Sequence, residues 1–182
     1  MILSIPYKSL QVGNIHLSPF QPDKYGKPIA KLAYKDSSIE FHDVCVLTPP
    51  MRVLDYNPET SRLRLDLTDQ TVFQNKLHVF QEFLMSTFYI HQNTFLSLQA
   101  NIHDFHSIFN LLLRDNILSL YIFPNFTMKK DDNTYYKVSD LKNGDVIRCV
   151  IRFSGISQIQ TRNGLSLRIQ HTIPSMWKIS EK

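Results

Sequence analysis

The run VIRCVIRFSGISQI (146–159), QTRNG (160–164) and LSLRIQHTIPSMWKI (165–179) decides how this chain is read. Two stretches rich in β-branched residues meet at Thr161-Arg162-Asn163-Gly164, and an Asn-Gly step tolerates the positive φ that primed hairpin turns demand. A long twisted hairpin is expected, launched by Leu141-Lys142-Asn143-Gly144-Asp145. Along its first arm Ile147, Cys149, Ile151 and Phe153 alternate with Val146, Arg148, Val150 and Arg152. One face is therefore apolar and the other carries arginines among valines, a surface open to a polyanion.

Working towards the N-terminus, the first 68 residues read as strands parted by turns. Strands are expected over 15–20, 29–34, 39–47 and 51–56, with the loop Gln21-Pro22-Asp23-Lys24-Tyr25-Gly26-Lys27-Pro28 after the first and Thr48-Pro49-Pro50 stopping the third. Residues 62–67 alternate without a break, three leucines against Arg62, Arg64 and Asp66. At Thr68-Asp69 the period changes: Phe73, Leu77, Phe80, Leu84 and Phe88 recur at helical spacing, so 70–89 is expected as an amphipathic helix capped by Asp69 or Thr71. A second helix is expected over 104–113, and strands return at 117–123, 126–128 and 134–138.

Strands, then helices, then strands fit a mainly β fold in one domain over 1–182, with a helical insertion at approximately 70–113. The arrangement expected is a Greek-key barrel like the oligonucleotide/oligosaccharide-binding (OB) fold, with helices inserted between early and late strands. A β-sandwich and an α+β sheet with helices on one side are the alternatives.

At 182 residues the chain can bury a sizeable core, and 43% hydrophobic content argues against disorder. No apolar run is long enough to cross a bilayer and the N-terminus has no signal-peptide pattern, so no membrane partner and a reducing intracellular setting are expected. Cys45 and Cys149 lie far apart within strands and read as small buried hydrophobes. The net charge of +4 is uneven: residues 120–182 hold ten Lys/Arg against five Asp/Glu, while 69–119 hold two against four. The cationic excess thus lies in the C-terminal strands, which favours a polyanionic partner.

Catalytic signatures are missing: the five glycines are scattered, with no phosphate-cradling loop, nucleophile elbow or zinc-protease motif. His103 and His106 around Asp104 read as capping or surface residues, and Asp131-Asp132-Asn133 as a solvated hairpin tip. No enzyme, cofactor or metal is expected. What remains is the interleaving of cations with flat side chains that holds single-stranded nucleic acid. The phosphate binders expected are Lys24, Lys27, Lys31, Lys35, Arg52, Arg148, Arg152 and Arg168; the stacking residues are Tyr25, Tyr34, Tyr56 and Phe153. By alternation Phe153 falls on the apolar side, where a core role would remove it from the set.

Several segments in order resemble the single-stranded DNA-binding proteins of nucleo-cytoplasmic large DNA viruses, themselves similar to a phage replication protein. They are Val46-Leu47-Thr48-Pro49-Pro50-Met51, the strand 63–67 before the helix at Phe73, Tyr121-Ile122-Phe123-Pro124, Asn143-Gly144-Asp145 leading to Gly155-Ile156, and the terminal 173–179. The resemblance implies an OB-fold protein that coats single-stranded DNA without sequence preference during viral replication, recombination or repair. It implies a host cytoplasmic viral factory or nucleus as the setting, with replication proteins as partners. Phage-like members end in an acidic tail, whereas residues 175–182 here are not acidic, so recruitment through such a tail is not implied. The alternative function is a protein-interaction or assembly module, a viral structural or replication scaffold. RNA is the alternative polyanion, since the sequence does not separate the two sugars.

Overall fold

Alternating apolar and polar residues build the first half of the molecule, of which the computed structural model describes residues 3–37, 40–92, 106–130, 134–162 and 164–179. The alternation yields β1 (Ile5–Pro6), β2 (Ile15–Pro22), β3 (Pro28–Lys35), β4 (Glu40–Phe41), β5 (Val44–Leu47), β6 (Met51–Asn57) and β7 (Arg62–Asp66). The change of period then gives α1 (Thr71–Ile90), and short strands follow: β8 (Phe109–Asn110), β9 (Leu113–Arg114), β10 (Ile117–Tyr121), β11 (Thr127–Lys130) and β12 (Tyr135–Lys137). The chain closes with two 16-residue strands, β13 (Val146–Thr161) and β14 (Gly164–Ile179). Of the helix expected over 104–113, residues 106–108 are helical, β8 and β9 take its place from Phe109 onward, and 104–105 lie outside the described residues. Gln70 stands at the N-cap of α1 without a side-chain capping bond, so neither Asp69 nor Thr71 fills that role.

The terminal hairpin forms as its sequence demands, pairing from Val146 with Ile179 to Thr161 with Gly164 across the turn, where Gly164 has φ of 113°. The opposite edge of β13 is shared in turn by β6 at residues 146–147, β5 at 150–153 and β3 at 155–157. Two bulges make that sharing possible. Between Val150 and Arg152 the additional residue lies on β14 beside Pro174, which has no N–H to give to a ladder; between Phe153 and Gly155 it is Ser154 on β13. Each bulge bends the strands, and the second hands β13 from β5 to β3. A Cβ at Gly155 would sit 2.4 Å from the carbonyl oxygen of Ala30, so this crossing requires glycine.

The resulting sheet is mixed and mostly antiparallel, with main order β12-β11-β14-β13-β6-β7-β10-β9 and β1 to β5 and β8 joined off that path. It is open: its two ends, β12 and β9, do not pair. This corrects the expected OB-like Greek-key barrel, and the DNA-binding groove that such a barrel carries falls with it. Closure needs each strand to keep two neighbours around a ring. Here one edge of β13 is divided among three strands, and the outer edge of β14 takes only short parallel partners at Leu167–Arg168 and Trp177–Lys178. The strands fan outward instead of returning.

α1 lies against the sheet and supplies the aromatic core. Its buried face presents Phe73, Leu77, Phe80, Leu84 and Phe88, the five positions set by the helical period. Phe80 meets Phe153 with ring centroids 5.0 Å apart, Phe88 meets Phe20 at 5.7 Å and Phe109 at 6.2 Å, and Phe73 meets Tyr7 at 5.6 Å. Leu63, Leu65 and Leu67 are fully buried, as their alternation requires. On the helix side a polar residue, Gln81, is buried with this core: its amide donates to the carbonyl oxygen of Leu113 at 3.1 Å, and its oxygen accepts from Leu112 and Leu113 N–H at 2.9 Å each. Gln81 thus satisfies backbone that has no ladder partner and pins the segment before β10 to the helix.

Substituting Gln81 by Ala orphans three buried backbone groups and is expected to cost about 3 kcal/mol in urea unfolding. Gly155→Ala is expected to cost about 2 kcal/mol or more, since backbone rather than a flexible side chain must yield. Wild-type midpoints for both variants would contradict these roles.

Candidate nucleic-acid interface

The β2–β3 turn is built by one carboxylate. Asp23 Oδ1 accepts from the N–H groups of Tyr25 and Lys27, both at 2.8 Å, while Asp23 N–H donates to the Lys27 carbonyl and Gly26 takes φ of 76°. The N–H of Lys27 acts most strongly and, with that of Tyr25 and the neighbouring lysine charges, outweighs the opposing effect of desolvation and holds the Asp23 carboxyl below its usual range. With its backbone so fixed, the turn thrusts Tyr25 into solvent at 73% exposure, the Lys24 ammonium 4.9 Å from the ring centroid.

Tyr25 and Lys27 form one wall of a groove of about 760 Å³. Phe123, 62% exposed, stands in the lining just beyond β10, and Ser157, Gln158 and Gln160 of β13 with Arg168 and Gln170 of β14 are also part of it. Phe123 is placed by the alternation that ends β10: Leu120 and Ile122 point into the core, and Tyr121 and Phe123 point out with their rings edge to face at 5.2 Å. Neither Lys27 nor Arg168 makes an ion pair among the described residues.

Of the twelve residues expected in a binding site, three meet here: Tyr25, Lys27 and Arg168. Lys24 is beside them on the turn, and Lys31 is exposed on β3 outside the groove lining. The others are engaged elsewhere. Tyr34 is buried and its hydroxyl accepts from Asn14; Phe153 is buried beneath Phe80; Tyr56 is half-buried and donates to the Ile122 carbonyl at 3.0 Å. Lys35 pairs with Glu40 at 3.2 Å, and Arg152 faces Asp43 at 3.7 Å, an ionic contact too long for a hydrogen bond. Arg148 donates from Nε to the Thr48 carbonyl at 2.9 Å, and Arg52 lies across from Asp66. The arginine face of β13 is thus partly withdrawn from solvent, with Val150 buried and Arg148 and Arg152 half-buried against Thr48 and Asp43. Thr48, fully buried, accepts from Cys149 N–H at 3.0 Å; burial pushes the Cys149 thiol up to about 12 against the opposing bond from Thr48.

Arg168 and Gln170 also line a second, smaller cavity of about 240 Å³, with Arg62, Asn110, Tyr121 and His171. Arg62 lies opposite Tyr121 in the β7–β10 register, its guanidinium carbon 6.0 Å from that ring centroid. His171 is fixed within the lining: its Nε2 accepts from Tyr121 N–H at 2.8 Å, and Nδ1 lies 3.4 Å from the Ile169 carbonyl, an arrangement for a neutral ring protonated on Nδ1. Burial pushes its pKa down to about 4; the Ile169 carbonyl opposes this, and Arg62 and Arg168 reinforce it. Arg62, Tyr121 and Phe123 were absent from the expected set. The signal for the two aromatics was the alternation over 117–123; for Arg62 it was the pairing of β7 with β10, which no spacing in sequence conveys.

Among the described residues no three His, Cys, Asp or Glu side chains converge as metal ligands, and no helix is long and apolar enough to cross a membrane. His103, Asp104 and Asp131-Asp132-Asn133 lie outside those residues. The chain matches no protein-family model, no curated protein and no solved structure.

His171 ties stability to pH. Its folded-state pKa, about 4, is below the ordinary 6.5, so on acidification the unfolded chain takes up this proton first. The contribution is complete above pH 6.5 and is lost as pH falls through that value to about 4. His171→Gln, which retains an acceptor for Tyr121 N–H, is expected to flatten the urea-stability profile between pH 7 and 4.5. An unchanged profile would contradict the assignment.

Proposed function

We propose that the protein binds single-stranded nucleic acid in the groove between the β2–β3 turn and β14, and performs no bond chemistry. The observation that carries this reading is the pairing of two exposed rings, Tyr25 and Phe123, with two cations free of ion pairs among the described residues, Lys27 and Arg168, around one open groove. Unpaired bases present flat faces to such rings, and phosphates run past such cations; a duplex hides those faces in its stack. Neutral donors and acceptors from Gln158 and Gln160 along the β13 side suit contacts to sugars and base edges of any sequence, while the buried Ser157 hydroxyl accepts from the Gln170 amide. Asp23 also lines the groove; its Oδ1 is turned onto the loop backbone, and its charge is felt by Lys27 and Lys24 without a close ion pair among the described residues. The reading rests on the groove alone and needs no barrel.

The test is fluorescence anisotropy with labelled oligo-dT, oligo-U and a matched duplex at two salt concentrations. Single strands are expected to bind more tightly than duplex, with affinity falling as salt rises. Tyr25→Ala and Phe123→Ala are each expected to cost about 1–3 kcal/mol with the salt slope unchanged. The double variant Lys27→Ala/Arg168→Ala is expected to lower that slope by roughly 1.4, on about 0.7 per phosphate lost from a single strand. Failure of every nucleic acid to bind would overturn the reading in favour of a protein-interaction module.

A further inference from the structure

The small cavity beside the groove differs from it in kind. At about 240 Å³ against about 760 Å³ it is the smaller of the two, closer to the size of one nucleotide than of a strand, and His171 is part of its lining. Two guanidinium side chains line it, Arg62 from β7 and Arg168 from β14, and no carboxylate appears in the lining. Neither arginine forms an ion pair among the described residues, and their partners across the strands are neutral: Asn57 and Tyr121 for Arg62, Ser157 and Asn110 for Arg168. The rest of the lining suits the remainder of a nucleotide, with the ring of Tyr121, the amide of Asn110 and the apolar side chains of Leu111 and Leu112. The two guanidiniums leave a local excess of positive charge, which also weighs against a proton on His171.

We infer that this cavity is a phosphomonoester site, in which Arg62 and Arg168 together receive the dianionic phosphate of a nucleotide and Tyr121 and Asn110 meet its nucleoside portion. Arginine forks match phosphate oxygens, and two of them balance the charge of a monoester more fully than that of a diester inside a chain. Arg168 and Gln170 also line the groove, so the same phosphate can belong to a free mononucleotide or to the end of a strand lying alongside. The second source rests on the groove reading; the first does not.

Titration calorimetry with dTMP, thymidine and inorganic phosphate tests the site on the full chain, and oligo-dT bearing a 5′-phosphate, a 3′-phosphate or neither identifies the source. dTMP is expected to bind with thymidine at least about tenfold weaker, and Arg62→Ala to weaken dTMP by about tenfold or more. Arg62→Lys, which keeps the charge but not the fork, is expected to recover only part of that loss. A preference for one phosphorylated end that disappears in Arg62→Ala assigns the phosphate to a strand terminus; binding of dTMP with no end preference assigns it to the free nucleotide. Equal binding of dTMP and thymidine, or no binding of dTMP and no end preference, overturns the inference. If oligo-dT fails to bind whatever its ends while dTMP binds through Arg62, the groove reading fails and the cavity stands.

Discussion

The structure depends on the close passage of β13 over β3 at Gly155. Because no side chain intervenes between Gly155 and the Ala30 carbonyl, β13 can leave β5 at one bulge and take up β3 at the next three residues. That transfer carries the β2–β3 turn to the far end of the hairpin, where Tyr25 and Lys27 meet Arg168. Were β13 to remain paired with one neighbour, the turn would have no place there. The bulges, the division of one strand edge among three partners and the open form of the sheet are one fact seen at three scales.

The second support is the helix. α1 presents its aromatic stripe to the bulged region, with Phe80 on Phe153 immediately before Ser154, so the bend in β13 is backed by packed rings. Gln81, next in sequence, turns the other way and satisfies the backbone of Leu112 and Leu113 before β10 begins. β10 in turn ends at Tyr121, and Tyr121 and, two residues on, Phe123 face outward. The aromatic side of the candidate interface is therefore held by the core beneath it, with Tyr121 N–H further anchored by the neutral ring of His171 on β14.

Local periodicity was legible in the sequence wherever it was strong. The terminal hairpin, α1 and the leucines of β7 follow directly from alternation, from 3.6-residue spacing and from an Asn-Gly turn signal. Closure of the sheet was not legible, because it depends on which edges pair, and a strand such as β13 is equally consistent with one long-lived neighbour or with three. The site divides in the same way. Tyr25, Lys27 and Arg168 were identified from residue type and come together, whereas Arg148 and Arg152 look free in the sequence and are occupied by the Thr48 carbonyl and Asp43, partners about 100 residues distant. Arg62 was read only as part of the charged face of β7, because its place beside Tyr121 is a matter of register between strands.

The measurement that bears most directly on this account is amide hydrogen exchange with and without saturating oligo-dT. The account predicts slowed exchange in the β2–β3 turn around Tyr25 and Lys27, at Phe123, and along residues 157–160 and 168–170, with the end of the hairpin around Arg52 and Arg148, far from its turn, unchanged. Protection confined to that far end, or none anywhere at saturation, would contradict it.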